Sequence, residues 1–301
     1  MVVLWGLSDD GPINRVNDIL QRKNVPTLFI DQQDALEYTF DMTFDGDVSG
    51  VISSLYSSVR IEDVHAIYLR PYDLCQLGIF EQCDSTDEDW TRTAYFEDMM
   101  FLWSEIANAR VINRPSSAGS NASKPYQLEL IRQCGLNVPA TILTTSPQRV
   151  KDFRQKYRRV IYKSISSQRS IVAELGDNND ERLKDVVWCP TQFQEYINGT
   201  DYRVHILEDK VFASRILSSS ADYRYAIDTQ IESVTLPSNI EEKCFLLSKN
   251  LGLHFSGIDL RQSQDGEWYC FEVNPSPGYT YFEDPSNRPI SHALAEYLTQ
   301  S

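Results

Sequence analysis

The sequence predicts a mixed α/β protein built from more than one packed unit. Its 301 residues are long for a single hydrophobic core. The chain opens with a strand, a helix and a second strand, in VVLWGL, INRVNDILQRK and TLFID, and strand patterns recur in its second half. Hydrophobic residues make up 42% of the chain and charged residues 24%, which is typical of a globular protein.

The charge and the termini exclude several kinds of partner. Lys and Arg number 28 against 43 Asp and Glu, a net charge of −15, and an extended nucleic-acid surface would need clustered cations instead. No apolar run approaches the roughly 20 residues that span a bilayer. The N-terminus MVVLWGLSDDG lacks the basic region of a signal peptide, and the six cysteines form no CxxC pair. We therefore expect a cytoplasmic protein with reduced thiols and neither a nucleic-acid nor a membrane partner.

Residues 1–114 are predicted to form a small α/β domain. Strands are expected at 2–7, 27–31 and 65–70, with a turn at 41–50 and a helix-like stretch in VISSLYSS. A long amphipathic helix follows, with apolar residues at helical spacing that we expect in the core: Tyr95, Met99, Leu102 and Ile106. The segment VINRPSSAGSNASKP, residues 111–125, is rich in Ser, Pro and Gly and predicts a junction.

The later part of the chain alternates helices with strand pairs. PYQLELIRQCG predicts a helix that ends at a glycine. Strands are expected in RRVIYKSISSQRSIVAEL, around a Ser-rich turn, in TQFQEYI, and in NGTDYRVHILEDKVFASRIL, around an ED-K turn. NIEEKCFLLSKNLGL and ISHALAEYLTQS predict further helices.

A hairpin in HFSGIDLRQSQDGEWYCFEVN carries the first chemical signal. If Asp265-Gly266 is a two-residue loop, counting outward places Asp259 opposite Glu272, and alternation puts Asn274 on the same face. Two opposed carboxylates repel each other, and a divalent cation between them reverses that interaction. Asp, Glu and Asn oxygens suit Mg²⁺. The alternative is a solvated acidic face on an acidic protein, and spacing alone does not decide between the two.

The ordered set of motifs resembles the ATP-grasp superfamily, in particular ligases similar to the ribosomal-protein glutamate ligase RimK and to the graspetide (microviridin-type) macrocyclases. The matching pieces, within residues 111–280, are VINRP, SKPYQLELIRQCGLNVPATILTT, VIYKS, FQEYINGTDYRVHIL, VFASRILSSSADYR, GIDL and FEVNPSPG. The resemblance implies an ATP-grasp fold, with a central lid subdomain over 115–190 and a C-terminal subdomain with the Mg/ATP site over 191–301. Residues 1–114 would be the α/β domain that precedes ATP-grasp.

By resemblance, three residues would bind magnesium: Asp259, Glu272 and Asn274. The ATP-binding residues would be Lys124, Lys163, Glu195, Tyr196 and Asp201, with Glu195 and Tyr196 at the adenine hinge and Asp201 at the ribose. Arg203 and Arg224 would act on the transferring phosphoryl group, since a guanidinium fork suits phosphate and carboxylate oxygens. Arg70, at a strand end in the first domain, is a candidate for holding substrate. Each has an ordinary reading too, as a strand lysine, a surface ion pair or a capping arginine.

The resemblance implies an enzyme that uses ATP and Mg²⁺ to phosphorylate a carboxylate substrate, with peptides and amino acids as the candidate substrates. An amine, or a hydroxyl, then attacks the acyl phosphate. A homodimer is the expected assembly. One departure stands out: where RimK-like ligases carry a glycine-rich phosphate loop, this chain reads SISSQRS, in which Ser hydroxyls, backbone N–H groups and Arg169 would cap the phosphates.

Two other functions stay open on the sequence. The altered loop suits a non-catalytic or regulatory ATP-binding protein that keeps the grasp fold. If the resemblance extends only to the fold, the protein has an unrelated function, such as binding a protein partner through its acidic surface.

Overall fold

The computed structural model describes residues 1–77, 88–164, 173–176, 182–218 and 229–300. It divides into two compact units. Unit 1 comprises Met1–Ala118, Leu253–Phe255 and Ser276–Ser301, and unit 2 comprises Gly119–Gly252 and Ser256–Pro275. No helix in the described ranges is long and apolar enough to cross a membrane.

Unit 1 is built on a parallel sheet with strand order β2-β1-β6-β7. These strands are β1 (Val2–Gly6), β2 (Thr27–Asp31), β6 (Ala66–Arg70) and β7 (Arg110–Ile112), and they confirm the three predicted strands in this region. The helices of the unit are α1 (Gly11–Arg22), α2 (Glu88–Ile106), α3 (Pro115–Ala118) and α7 (Pro289–Thr299). Every residue of β1 is buried, as its unbroken apolar run predicts for a parallel strand covered on both faces.

A second, antiparallel sheet of unit 1 corrects two predictions. Its strands are β3 (Thr39–Asp45), β4 (Asp47–Ser53) and β5 (Ser58–Arg60), in that order. Residues 41–50 are therefore mostly strand, with only the Asp45–Asp47 turn around Gly46, whose φ is +79°. VISSLYSS is not a helix. Period-two alternation puts Phe40 and Met42 against the core and the aspartates outside, and this pattern outweighs the turn-forming composition.

The helix α2 packs through a different face from the predicted one. Its buried apolar residues are Phe96, Met100 and Trp103, which join the core beneath the parallel sheet. The predicted core residues include Tyr95, 67% exposed, and Leu102, 47% exposed. Both stripes obey helical spacing, so periodicity alone does not choose between them.

Unit 2 contains two antiparallel sheets that we call the small and the large sheet. The small sheet has the order β10-β9-β11-β8, with strands β8 (Thr141–Thr144), β9 (Val160–Ser164), β10 (Ala173–Glu174) and β11 (Thr191–Glu195). The large sheet has the order β14-β13-β12-β15-β16, with strands β12 (Gly199–Leu207), β13 (Lys210–Leu217), β14 (Gln230–Val234), β15 (Phe255–Ser263) and β16 (Trp268–Asn274). The helices are α4 (Lys124–Gln133), α5 (Pro147–Tyr157) and α6 (Ser238–Asn250). The strands and helices predicted for this unit are confirmed within the described residues, and the predicted Ser-rich turn lies outside them.

In the β15–β16 hairpin Asp259 pairs with Glu272 as predicted, but the loop and the register differ from the prediction. The Ser263 amide donates to the Glu267 carbonyl, which makes a three-residue loop ending at Gly266, with φ +85°. The two-residue loop was therefore wrong by one residue. A bulge at Phe271 then shifts the register back, because Leu260 pairs with Cys270 but Asp259 pairs with Glu272. The longer loop and the bulge shift the register in opposite directions, so Asp259 and Glu272 are paired.

Candidate active site

Two carboxylates face each other on the large sheet, and each accepts a hydrogen bond from its own cation. Asp259 and Glu272 are Cα partners across β15 and β16. Arg203 Nη1, from the adjacent strand β12, donates to Asp259 Oδ1 at 2.5 Å. Lys124 Nζ, from the first residue of α4, donates to Glu272 Oε2 at 2.8 Å. The site thus joins β12, β15, β16 and α4.

The two carboxylates have opposite electrostatic environments. Burial raises the pKa of Asp259; Arg203 opposes this shift and the neighbouring Glu272 adds to it. Burial also works to raise the pKa of Glu272, but Lys124, Lys163 and Arg203 outweigh it and hold that pKa below its usual value. Asn274 follows two residues later on the same face of β16.

These residues fit a magnesium ion. Within the described ranges, no three His, Cys, Asp or Glu side chains cluster as a metal site. The predicted set has two carboxylates and an amide oxygen instead, and Mg²⁺ is usually bound through one or two carboxylates while it keeps water or phosphate ligands. Asp259 and Glu272 stay partly accessible, with side chains 29% and 32% exposed.

Lys163 reaches this region from the small sheet. It lies on β9 and is 8% exposed. Its positive charge is one of those that lower the pKa of Glu272. The opposite face of the small sheet, with Phe193, packs against α5 through Val150 and Phe153. Cations from both the small sheet and α4 therefore act on Glu272.

Sequence reasoning missed two glutamines on the same face of the small sheet. Gln192 is the Cα partner of Lys163 and is 1% exposed. Neither atom of its amide group has a hydrogen-bond partner among the residues that the structure describes, and the same holds for Gln194 Oε1. A buried, unpartnered amide is unfavourable unless a ligand supplies its hydrogen bonds. TQFQ offered no signal beyond alternation.

The segment that connects the two sheets contains the predicted hinge residues. Glu195 ends β11, and its Oε1 accepts from the Ala140 amide at 2.7 Å. The Tyr196 amide donates to the Arg159 carbonyl, and the Arg159 guanidinium lies 3.7 Å from the centre of the Tyr196 ring. The hinge is therefore fixed to the small sheet by both backbone and side-chain contacts.

Asp201 is paired with a residue that sequence reasoning also missed. Arg261 donates from Nε to Asp201 Oδ1 at 2.6 Å and from Nη2 to Oδ2 at 2.8 Å. Arg261 follows Asp259 by two residues on β15, so alternation places both on one face. The spacing of two residues from Asp259 could have indicated in the sequence that Arg261 belongs to the site. Arg203 lies on the same face of β12 as Asp201, as predicted from the Asp-x-Arg spacing.

Three predicted features remain, and of these only Arg70 lies within the described residues. Arg224 and the Arg169 loop fall outside the described residues. Arg70 belongs to unit 1, where it is 7% exposed, and its Nε donates to Asp10 Oδ2 at 2.5 Å. Its Nη1 donates to Ser276 Oγ and to the Pro277 carbonyl. These contacts fix the Arg70 side chain within unit 1, and its contact with a substrate stays a prediction.

The comparison with protein families agrees with this geometry. The profile of the RimK-like ATP-grasp domain matches residues 121–298. A probable alpha-L-glutamate ligase of Chromohalobacter salexigens is 25% identical over 211 residues, which cover 65% of this chain and 69% of that protein. The coenzyme gamma-F420-2:alpha-L-glutamate ligase of Methanococcus maripaludis is 25% identical over 219 residues, covering 66% and 76%.

Solved structures share the fold over the whole chain. The macrocyclase MdnC from Microcystis aeruginosa MRC, bound with the precursor peptide MdnA, superposes with a TM-score of 0.83 at 23% identity and covers 100% of this chain and 99% of its own. The ATP-grasp ligase PsnB, complexed with a minimal precursor, gives a TM-score of 0.82 at 26% identity, covering 99% and 97%. Another PsnB structure contains a minimal precursor, Mg and ADP, with a TM-score of 0.76.

Proposed function

The chain belongs to the RimK-like ATP-grasp family, and we propose that it is an ATP- and Mg²⁺-dependent ligase that joins an activated carboxylate to an amine or a hydroxyl. The observation that carries this proposal is the Asp259–Glu272 pair. Each carboxylate is held by a cation from a different element, and the charge of the buried Lys163 on the small sheet acts on Glu272 as well. Such an alternation of carboxylates and cations suits a metal bound together with a polyphosphate.

In this proposal Asp259, Glu272 and Asn274 hold the magnesium ion. The ion, when bound, neutralises phosphate charge and orients the transferring group. Lys124 and Lys163 hold the phosphates of ATP. Both ammonium groups act on Glu272, and their positive charge would attract a triphosphate. Residues 115–190, which include the strands β8, β9 and β10 of the small sheet, would form the lid over the nucleotide.

The chemical steps follow from the charges. An oxygen of the substrate carboxylate attacks the γ-phosphorus of ATP and ADP leaves, which forms an acyl phosphate. The amine or hydroxyl then attacks the acyl carbon and phosphate leaves. Arg203, which donates a hydrogen bond to Asp259, would stabilise the negative charge on the transferring group, together with Arg224. Glu195 and Tyr196 would meet the adenine, and Asp201 the ribose.

A peptide is the proposed substrate class. The MdnC and PsnB structures contain bound precursors, and the curated relatives are named glutamate ligases. Together they support a peptide carboxylate as the group that is activated. We further propose that the protein acts in the cytoplasm, where ATP and Mg²⁺ are available, and that it forms a homodimer.

The test is nucleotide turnover with a trapping nucleophile. The protein is incubated with ATP, Mg²⁺, peptides that contain Asp or Glu, and hydroxylamine, and both ADP and the peptide hydroxamate are measured. We expect carboxylate-dependent ADP release with hydroxamate formation, and loss of both in Glu272→Ala. Unchanged ligation in Glu272→Ala would overturn the metal assignment. Tight ATP binding without ADP release on any carboxylate would favour the non-catalytic alternative.

A further inference from the structure

Arg261 connects three parts of unit 2 that the proposed function uses. Its guanidinium donates to both oxygens of Asp201 on β12, at 2.6 and 2.8 Å, and through Nη1 to the Ile197 carbonyl of the hinge segment, also at 2.8 Å. It lies on β15, two residues after Asp259. A single side chain thus joins the metal strand, the neighbouring strand and the hinge.

The side chain is held firmly enough to fix its neighbours. Its exposed fraction is 13%, and that of Asp201 is 23%. The guanidinium also lies 5.3 Å from the ring centre of Phe271, the bulged residue of β16, and 5.6 Å from that of Tyr196. A planar guanidinium with paired hydrogen bonds and aromatic contacts has few alternative orientations.

This pairing leaves Asp201 able to bind hydroxyl groups. Each carboxylate oxygen accepts one hydrogen bond from Arg261 and keeps a further lone pair. The positive charge of Arg261 also offsets the negative charge of Asp201, which would otherwise repel a nucleotide polyphosphate at short range. A neutralised carboxylate with two free acceptor sites matches a pair of adjacent sugar hydroxyls.

We propose that Arg261 is the positioning residue of the sugar subsite, and that it orients Asp201 toward the ribose hydroxyls while it holds the hinge at Ile197. The inference rests on the proposed function, because it requires nucleotide binding beside Asp259 and Glu272 in unit 2. It adds a residue that touches Asp201 rather than the nucleotide.

The test compares two nucleotides that differ only in the sugar. Dissociation constants for ADP and for 2′,3′-dideoxy-ADP, both with Mg²⁺, are measured by titration calorimetry on the wild-type protein and on Arg261→Ala. We expect the wild-type protein to prefer ADP, and Arg261→Ala to weaken ADP about tenfold or more beyond any weakening of dideoxy-ADP, as for a lost charge-assisted contact. The ratio of the two constants should fall toward one.

Two further variants separate positioning from folding. Arg261→Lys keeps the charge but not the paired donors, so its fold should be retained and the ratio should still fall. Arg215→Ala is the control, because Arg215 on β13 forms an ion pair with Glu232 on β14 in the same sheet, through Oε2 alone and in a more exposed position. It should leave both constants unchanged.

The outcomes are distinct. Equal weakening of both nucleotides in Arg261→Ala and Arg261→Lys would overturn the proposal, because it would show a structural role only. A wild-type protein that binds ADP without preference over dideoxy-ADP would also overturn it, with the proposed function intact. A wild-type protein that binds neither nucleotide would remove the proposed function and this inference together.

Discussion

Asp259 and Glu272 face each other across the β15–β16 hairpin, and each accepts a hydrogen bond from a cation that comes from a different element. Arg203 on β12 thus neutralises Asp259, and Lys124 on α4 neutralises Glu272. A magnesium ion at the same oxygens would compensate the carboxylates, so that Arg203 and Lys124 could turn to phosphate oxygens. Substitutions at Asp259, Lys163 and Gln192 test whether a magnesium ion and a nucleotide bind beside these carboxylates.

The substitution Asp259→Asn should raise the Mg²⁺ requirement without abolishing the fold. The amide keeps one oxygen ligand but loses the charge, so we expect the magnesium concentration for half-maximal stabilisation by ADP to rise about tenfold or more, which is about 1.4 kcal/mol. Thermal unfolding with ADP over a magnesium titration measures it. Asp265→Asn, in the exposed loop of the same hairpin, is the control. Equal magnesium requirements in the two variants would contradict the assignment.

Lys163→Met should weaken nucleotide binding while the fold is retained. Methionine preserves much of the buried stem but removes the ammonium group that acts on Glu272. We expect the dissociation constant of ADP to rise about 10- to 100-fold, in the range of a lost charged contact of about 1.5–3 kcal/mol. Calorimetric titration measures it, with Lys210→Met on β13 as the comparison. An ADP affinity within about twofold of wild type would count against a phosphate contact.

Gln192→Met should stabilise the protein without nucleotide. Both polar atoms of Gln192 are buried and lack hydrogen-bond partners among the described residues, so an apolar side chain of similar volume removes an unfavourable desolvation. The free energy of unfolding should rise on the order of 1–2 kcal/mol, and the extra stabilisation by ADP should shrink. Denaturant unfolding with and without ADP measures both. Gln148→Met, on the exposed side of α5, should change neither, and a destabilised Gln192→Met would refute the expectation.

The stability of unit 1 should depend on the protonation of Glu97. Burial raises the pKa of Glu97 to about 7 from 4.5, although Gln32 Nε2 donates to it at 2.8 Å. Below pH 7 and above about pH 4.5 the folded protein keeps a proton that the unfolded chain has released, so this contribution to stability is lost as pH rises through 7. Partial exposure limits it to the order of 2 kcal/mol.

The measurement for Glu97 compares the wild type with Glu97→Gln. Glutamine cannot titrate and still accepts from Gln32, so the variant should match the wild type near about pH 5 and exceed it in stability near about pH 8. Denaturant unfolding at both pH values gives the difference. Glu88→Gln, exposed at the start of α2, should show no such change. A constant difference between wild type and Glu97→Gln would disprove the raised pKa.

Local signals predicted most strands but not their partners. Alternation and turn residues located the large-sheet strands and the faces of Asp201 and Arg203. Sequence spacing cannot show which strands are neighbours, and β12 lies beside β15 although the pairs Arg203–Asp259 and Asp201–Arg261 are far apart in the chain. Arg261 and Gln192 were therefore missed, because their significance depends on non-local contacts and burial.

The errors in unit 1 have a different physical cause. In α2 two apolar stripes compete, and only the packing of Phe96 and Trp103 against the sheet selects one. In β3 and β4 the Asp and Gly residues favour a turn, but strand pairing with alternating burial of Phe40 and Met42 prevails. Tertiary burial outweighs local propensity in both segments.

The discontinuity of unit 1 has a consequence for biosynthesis. The Tyr279 hydroxyl donates to the Pro12 carbonyl, and Arg15 pairs with Glu283, so residues 276–301 complete a unit that residues 1–118 begin. A ribosome releases residues 119–275 between these two parts. Unit 2 can therefore finish its sheets while unit 1, although its first part is synthesised earlier, still lacks α7 and must wait to close its core.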